Sequence, residues 1–512
     1  MNIKAKQEFF ANLGWGRGQI IPMIWGVKIC EKLLAKLYSP SSIRYFILFF
    51  AVAAVFLGAL ANPQDFDLGW HLKYGEYVAE HKSLLLENTF SSAMPEYRYV
   101  NHAWGTDVMT YVIFKQFGFL GLSVVGSLVI AAAWFVFARA SRFDFWQMAL
   151  TTPLALYFFS YLLGESFRGQ FLSLLFFGVL WLLLRRFEEG RQWNLWFIPP
   201  LFFIWANVHG QFLMGLMLFA LWIAGCIYAK GIKKAKLLFA ILIASALAAL
   251  INPFGFGVYQ EAFRHFNNPL GKYIIEWQSP WLSAPIAIRV VALALLLLVA
   301  FLLAQRKRIL FQRLSWFLPA SIVVLFALLS RRYLSPGFLI SMPLIGLLLE
   351  YVKPRREQHA LVIAAIILFV TYGFVGFWKL PSENIFDTDW GLYCRHIGCS
   401  PASAEFLRNN TSDPATFLNY YNWGGWLIWN YPDIKPRVDG RMTFWEDQSG
   451  YSAFGEYLLY ENGINNIDAS LYNVVYIPPS IPLADNLQRL VAKGKWSIAY
   501  KDTRALVFVR NK

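Results

Sequence analysis

Charge is what this chain has least of. Only 15% of its 512 residues are Asp, Glu, Lys or Arg, and acids are scarcer still, 31 against 46 bases. With 57% hydrophobic and 18% aromatic residues and a mean hydropathy of +0.43, that scarcity excludes an ordinary soluble globular class. Cysteine is also rare: of four, Cys30 and Cys226 read as isolated apolar fillers, while Cys394 and Cys399 lie close together. No cleavable leader is expected. The first apolar run starts near Ser42, behind Lys4, Lys6, Arg17, Lys28, Lys32 and Lys36, whereas a secretory signal has a short basic region and a small-residue cleavage site. Residues 1–42 therefore read as a cytoplasmic tail, with 19–37 lying on the membrane as an amphipathic helix. The net charge of +15 would suit nucleic acid, but the bases gather in loops between apolar runs, so no nucleic-acid partner is expected.

What is present is a series of long apolar runs, the mark of a polytopic α-helical membrane protein. About eleven spans are expected, near 43–62, 119–138, 147–164, 169–186, 194–209, 211–229, 236–252, 286–304, 315–330, 334–351 and 360–379. The segment 103–117 carries Asp107 and Lys115 and reads as an outer interfacial helix. With the N-terminus inside, the inner loops are "ARASRFDF", "RRFEEGRQ", "KGIKKAK", "QRKRILFQR" and "KPRREQ". Each is basic, as inner loops should be. The expectation is a multi-pass protein of the inner (plasma) membrane with its C-terminal part outside.

That topology sends the unusual polar residues to one face. Asp65, Asp67, His71, Glu165, Arg168, Asn207, His209, Glu276, Arg331 and Arg332 all fall in outer loops or at outer span ends. Charge near hydrocarbon is costly and implies a partner or a water-filled cavity, so the set points to one polar chamber opening outward. In the outer loop 62–103, "QDFDLGWH" places Asp65 and Asp67 two apart, on one side of an extended segment. Such carboxylates can serve as a general base toward a hydroxyl, or hold a divalent cation, Mg²⁺ or Mn²⁺. The plainer reading of Asp67 is a helix cap before "LGWHLKYGEYV". His71, four residues on, would share its helix face. Glu165 and Arg168 could simply pair, or Arg168 could hold a phosphate. His209 and Asn207 sit in a tight outer turn, where a lone His is more often an anchor than a ligand. Arg331 and Arg332 break the charge rule on the outer side, and an anionic lipid phosphate would explain them. Glu276 and Trp277 belong to a loop folded on the membrane surface, where aromatics anchor or stack on sugars.

After about Trp378 the chain turns polar. Residues 380–512 read as a small α/β domain with a helix over 402–409, strands near 415–419, 436–438 and 472–477, a helix near 484–493 and a hairpin across Asp502. An oxidising outer compartment would allow a Cys394–Cys399 disulfide.

The ordered series "DFDLGWHLKYGEYV", "ENTFSSAMPEYRYVNHAWGTDVMTYVIF", "FRGQFLSLLFF", "WANVHGQFLMGL", "INPFG", "IIEWQSP" and "RRYLSPGFLI" resembles bacterial membrane proteins of the GT-C glycosyltransferase superfamily. That superfamily includes protein O-mannosyltransferases, aminoarabinose transferases and the catalytic subunits of oligosaccharyltransferases. The resemblance runs from about residue 43 over nearly the whole chain, and "YYNWGGWLIWNYPDIKPRVDGRMTFW" is similar to the outer domain of the same bacterial branch. It implies a GT-C-like membrane domain over 43–379 and an extracytoplasmic α/β domain over 380–512. It also implies transfer of a sugar from a polyprenyl-phosphate donor to a glycan, lipid or protein acceptor, beside membrane lipid, on the outer face. An Asp of the first outer loop would be catalytic, which here is Asp67, with Asp65 as helper or cation ligand. The remaining outer-face residues would bind substrate. The paired Asp-Glu motif of the mannosyltransferases and a WWD-type motif in the C-terminal domain are both missing, so a protein acceptor in particular is not implied, and metal dependence is open. The competing expectations are an envelope polysaccharide polymerase or ligase, or a non-catalytic protein that binds the lipid carrier.

Overall fold

The computed structural model describes residues 40–511 apart from 161, 163, 164, 166, 232–234, 308, 380–384 and 411–415. The expected surface helix over 19–37 and Cys30 lie outside the described residues. Among the described residues, thirteen α-helices come first: α1 (Pro40–Ala59), α2 (Leu68–His81), α3 (Trp104–Ala140), α4 (Phe145–Phe159), α5 (Gly169–Glu188), α6 (Ile198–Ala206), α7 (Phe212–Lys230), α8 (Ala235–Ala248), α9 (Gly257–Asn267), α10 (Ala284–Arg306), α11 (Leu314–Leu329), α12 (Leu334–Tyr351) and α13 (Glu357–Lys379). Among the described residues, eight helices are long and apolar enough to cross a membrane. The chain is therefore a polytopic helical membrane protein.

Each of the eleven expected runs carries a helix, but α4, α6 and α8 are not among the eight long enough to cross, a bilayer demanding roughly 20 residues. α4 has 15 residues and α8 has 14. The run 194–209 splits into a 3₁₀ turn, Gln192–Phe197, and the nine-residue α6. Pro199 and Pro200 explain the split: they cannot donate into a continuing helix but suit a first turn. α8 gives way to a turn before Pro253 in which Asn252 bonds Ala249, Gly255 and Phe254. The segment 103–117 runs on into the following span, and the joined helix breaks at Gly118 (φ 59°, ψ −152°).

α10 and α13 display Leu295, Leu298, Leu302, Ile366, Phe369 and Phe377 on their outer faces. In water each exposed side chain would forfeit about 25 cal/mol per Å²; against hydrocarbon that cost vanishes. α12 lies at the centre, with Leu334, Phe338, Leu339, Ile340 and Met342 fully buried.

The C-terminal part builds a four-stranded sheet, β1 (Phe417–Asn419), β2 (Val474–Ile477), β3 (Trp496–Lys501) and β4 (Leu506–Arg510), in the order β1-β2-β4-β3. β1 and β2 are parallel; β4 runs antiparallel to both its neighbours. Helices α14 (Trp390–Ile397), α15 (Pro401–Asn410), α16 (Gly424–Asn430), α17 (Ala453–Glu461) and α18 (Pro482–Ala492) surround it. The expected strand over 436–438 is absent. The amides of Arg437 and Val438 donate to Asn419 Oδ1 instead, at 2.7 and 3.1 Å. A side chain has taken the place of a neighbouring strand, an exchange open to Asn. Cys394 and Cys399 are joined as a disulfide, and Cys226 is buried.

The two parts share a core. Leu68 and Leu72 of α2 pack with Phe119, Tyr393, Trp423 and Trp426. α2 crosses α16 at Gly69, where a Cβ would run into the carbonyl of Gly425. The "WGGW" stretch is thus structural: its tryptophans are core and its glycines allow the crossing.

Candidate functional site

The turn before α2 is made by Asp65, whose Oδ1 accepts the amide of Asp67 at 2.9 Å. Asp65 O in turn accepts from Tyr393 Oη. Asp67 stands at the N-cap position of α2, yet its side chain makes no capping bond. Capping, the plainer reading of that residue, does not occur. The carboxylate turns away and meets Arg168, the extended residue that precedes α5. Arg168 Nη2 donates to Asp67 Oδ2 at 3.0 Å, and Nε lies 3.2 Å from Asp65 Oδ2. Glu165 lies 3.9 Å from Nη1 and accepts from Gln170 Nε2 at 3.1 Å. One guanidinium therefore serves three carboxylates.

Two neighbouring cavities meet at this cluster. The larger, 460 Å³, is lined by Asp65, Asp67, Glu165, Arg168, Glu276 and Arg331, and reaches Ile286 of α10. The smaller, 160 Å³, is lined by Asp67, His71, Arg168, His209, Glu276, Trp277, Arg332 and Arg441 among others. Asp67, Arg168 and Glu276 border both. Asp67 keeps 26% of its side chain accessible, against 4% for Asp65. Of the two acids, Asp67 is the one a ligand can reach.

The small cavity presents polar atoms that lack protein partners. His71 Nδ1 donates to Asp107 Oδ1 at 2.6 Å, and Asn101 holds the other oxygen at 2.6 Å. Among the described residues, His71 Nε2 is buried and without a hydrogen-bond partner; Arg441 Nη1 and Glu276 Oε2 are likewise unmatched. Buried polar groups are almost always satisfied, so such orphans around one cavity, Trp70 Nε1 among them, mark a place for a polar ligand or water. Ser173 Oγ accepts from Trp205 Nε1 at 2.8 Å and so donates to His209 Nδ1 at 2.7 Å. His102 and His265 complete the wall, their rings 5.7 Å apart, and His265 Nε2 lies 3.2 Å from Glu261.

Burial sets the protonation states. It raises the Asp67 carboxyl above its ordinary value, with the charge of Asp65 adding to the effect. Burial likewise pushes Glu165 up to about 8 against the pull of Arg168. It drives His102 down to about 4, helped by His265, and His209 well below the usual imidazole range, helped by Arg332. Burial thus works against the charged forms of Glu165, His102 and His209.

Most of the expected residues converge here. Arg332 pairs with Glu276 and lies over the Trp277 ring at 4.7 Å. Arg331 donates to Gln278 Oε1 at 2.9 Å and lines the larger cavity. Asn207 is the exception. It caps α6 and accepts from Trp104 Nε1 at 3.1 Å, while Nδ2 donates to Phe203 O and Ile251 O. It braces three segments and lines neither cavity. Arg168 already supplies the positive charge between Asp65 and Asp67, and among the described residues no group of three or more His, Cys, Asp or Glu could hold a metal ion.

Asp107, Asn101, His102, Glu261 and His265 join the site without having been expected. A buried Asp in an otherwise apolar helix was the available signal for Asp107. The Asp439–Arg441 pair is fully buried and ties the first loop to the C-terminal part: Arg441 Nη2 donates to Asn88 Oδ1 and Ser91 Oγ, each at 2.9 Å. Gly440 between them rests on Asp67, and any Cβ there would collide with Asp67 Oδ1. No model of a known protein family matches the chain, and no characterised protein matches it either.

Proposed function

We propose that the protein transfers a sugar from a polyprenyl-phosphate-linked donor to an envelope glycan, lipid or protein acceptor on the outer face of the membrane. The observation that carries this reading is Asp67: an uncapped carboxylate, raised in pKa by burial, standing between two cavities. The larger cavity touches Ile286 at the head of a lipid-facing helix and suits a donor whose tail stays in hydrocarbon. The smaller, with its unmatched polar atoms, suits the acceptor. The acceptor oxygen attacks the anomeric carbon, the bond from that carbon to the phosphate oxygen breaks, and the acceptor proton passes to Asp67. The leaving lipid phosphate gains its stabilisation from the positioned charges of Arg168 and Arg331. Basic loops at the far end of the bundle support an outward-facing site and an extracytoplasmic C-terminal part. The short helices α4, α6 and α8, read as spans, complete eleven crossings.

The test is a deletion strain whose envelope glycans are profiled by mass spectrometry. One sugar should be missing. The wild-type gene should restore it, Asp67→Asn should not, and the variant should accumulate normally. Full restoration by Asp67→Asn would remove Asp67 from the chemistry. One observation favours a second proton acceptor: His71, held by Asp107 with Nε2 open to the small cavity. In that case His71→Gln would abolish restoration and Asp67→Asn would only reduce it.

A further inference from the structure

The end of the bundle remote from Asp67 holds a second polar cavity that the proposed chemistry does not use. Its volume is 610 Å³, and it lies where the C-terminal ends of α3 and α5 part. Its walls carry Arg139, Arg142, Arg185, Arg186 and Arg191 against one glutamate, Glu189. Basic residues at helix C-termini are ordinary complements to the helix dipole, and part of this set has local work. Arg142 pairs with Glu189 at 2.6 Å, and Arg185 with Glu188 at 3.3 Å. Arg139, Arg186 and Arg191 have no carboxylate partner among the described residues. Such an excess exceeds what two helix ends need.

The apolar side of the cavity says what kind of anion fits. On α3, Leu128, Phe135 and Arg139 fall at spacings of seven and four, and so share one face; Arg142 follows in the turn beyond the helix. Leu128 and Phe135 are exposed, 53% and 39%. On α5, Leu175, Val179, Leu182 and Arg186 follow at four, three and four, and the three apolar residues are half-buried. The helices pack closely at Gly178, where a Cβ would touch Phe137 and Val136. They thus form a groove that runs along hydrocarbon-facing side chains and ends in guanidinium groups. A soluble anion would need only the arginines. A molecule with both a phosphate and an acyl chain uses the whole surface, and planar guanidinium forks suit phosphate oxygens.

We propose that this groove binds an anionic phospholipid, with its phosphate among Arg139, Arg186 and Arg191 and one acyl chain along Phe135, Val136 and Leu182. The site is separate from the transferase reading and does not depend on it. The test uses the full chain in a neutral detergent, titrated with phosphatidylglycerol, phosphatidylcholine or glycerol 3-phosphate and followed by native mass spectrometry and thermal unfolding. Phosphatidylglycerol should bind at least about tenfold more tightly than phosphatidylcholine and raise the unfolding midpoint, and glycerol 3-phosphate should do neither. The triple variant Arg139→Gln/Arg186→Gln/Arg191→Gln, which keeps both ion pairs, should lose that preference. Arg355→Gln/Arg356→Gln, in another basic loop, should keep it. Equal binding of the two lipids, the same effect from glycerol 3-phosphate, or equal losses in both variants would overturn the proposal.

Discussion

At the scale of single residues, the site is governed by the removal of water from charged groups. Glu165 shows it most directly. Its carboxyl titrates near 8 in the folded protein against an ordinary 4.5. The folded state therefore holds the proton more tightly, and stability falls as pH rises from 4.5 through 8. His102 has the opposite sign: the unfolded ring takes its proton near 6.5, the folded one only near 4, so stability falls as pH drops through that window. The two oppose each other below 6.5, which leaves pH 6.5–8 as the range where Glu165 can be read. Between those values the thermal midpoint of the wild type in detergent should fall, and Glu165→Gln should flatten that fall. An unchanged slope in the variant would place the buried charge elsewhere. Asp65 and Asp67 divide their labour in a way that spacing could not resolve. Two acids two residues apart told of one shared face. Which of them made the turn depended on Tyr393, more than 300 positions away.

At the scale of elements, close crossings hold the acid cluster in place. Gly69 on Gly425 and Gly440 on Asp67 leave no room for a methyl group. Gly69→Ala should cost ~1–3 kcal/mol through overpacking, visible as a lowered unfolding midpoint. Gly440→Ala should displace Asp67 instead. Its signature is loss of glycan restoration in the deletion strain with a smaller change in midpoint than Gly69→Ala produces. The reverse ranking would mean that Gly440 matters only for packing. These contacts join segments hundreds of residues apart, so sequence could name "WGGW" and "DGR" without saying what they touch. The helices were more legible because apolar runs of bilayer length leave few alternatives. The exceptions have local causes: Pro199 and Pro200 interrupt one run, and the Asn419 side chain displaces the strand expected at 436–438. The histidine wall was legible only at His209, since His102 comes from the first outer loop and His265 from α9.

At the scale of the whole molecule, the buried Asp439–Arg441 pair fastens the C-terminal part to the first loop. Removing one partner of such a pair leaves an uncompensated buried charge, at a cost of about 3–5 kcal/mol. Arg441→Leu should therefore destabilise strongly, while Asp439→Asn/Arg441→Leu should recover part of the loss; no recovery would mean that the pair does not act as a unit. The attachment also fixes a consequence for topology. Because the acid cluster and the C-terminal part share one core, they must lie on the same side of the membrane, opposite the arginines that end α3 and α5. Exposed positions report each side: Ile464 in the C-terminal part is 70% exposed, and Gln192 follows the arginine-rich end of α5. With Cys30 replaced by Ser and Cys226 buried, the background of reactive thiols is low. A membrane-impermeant maleimide should label Ile464→Cys from outside the intact membrane and reach Gln192→Cys only after lysis. The opposite pattern would invert the protein and with it the compartment in which Asp67 acts. Labelling of both sites from one side would break the link between shared core and shared side.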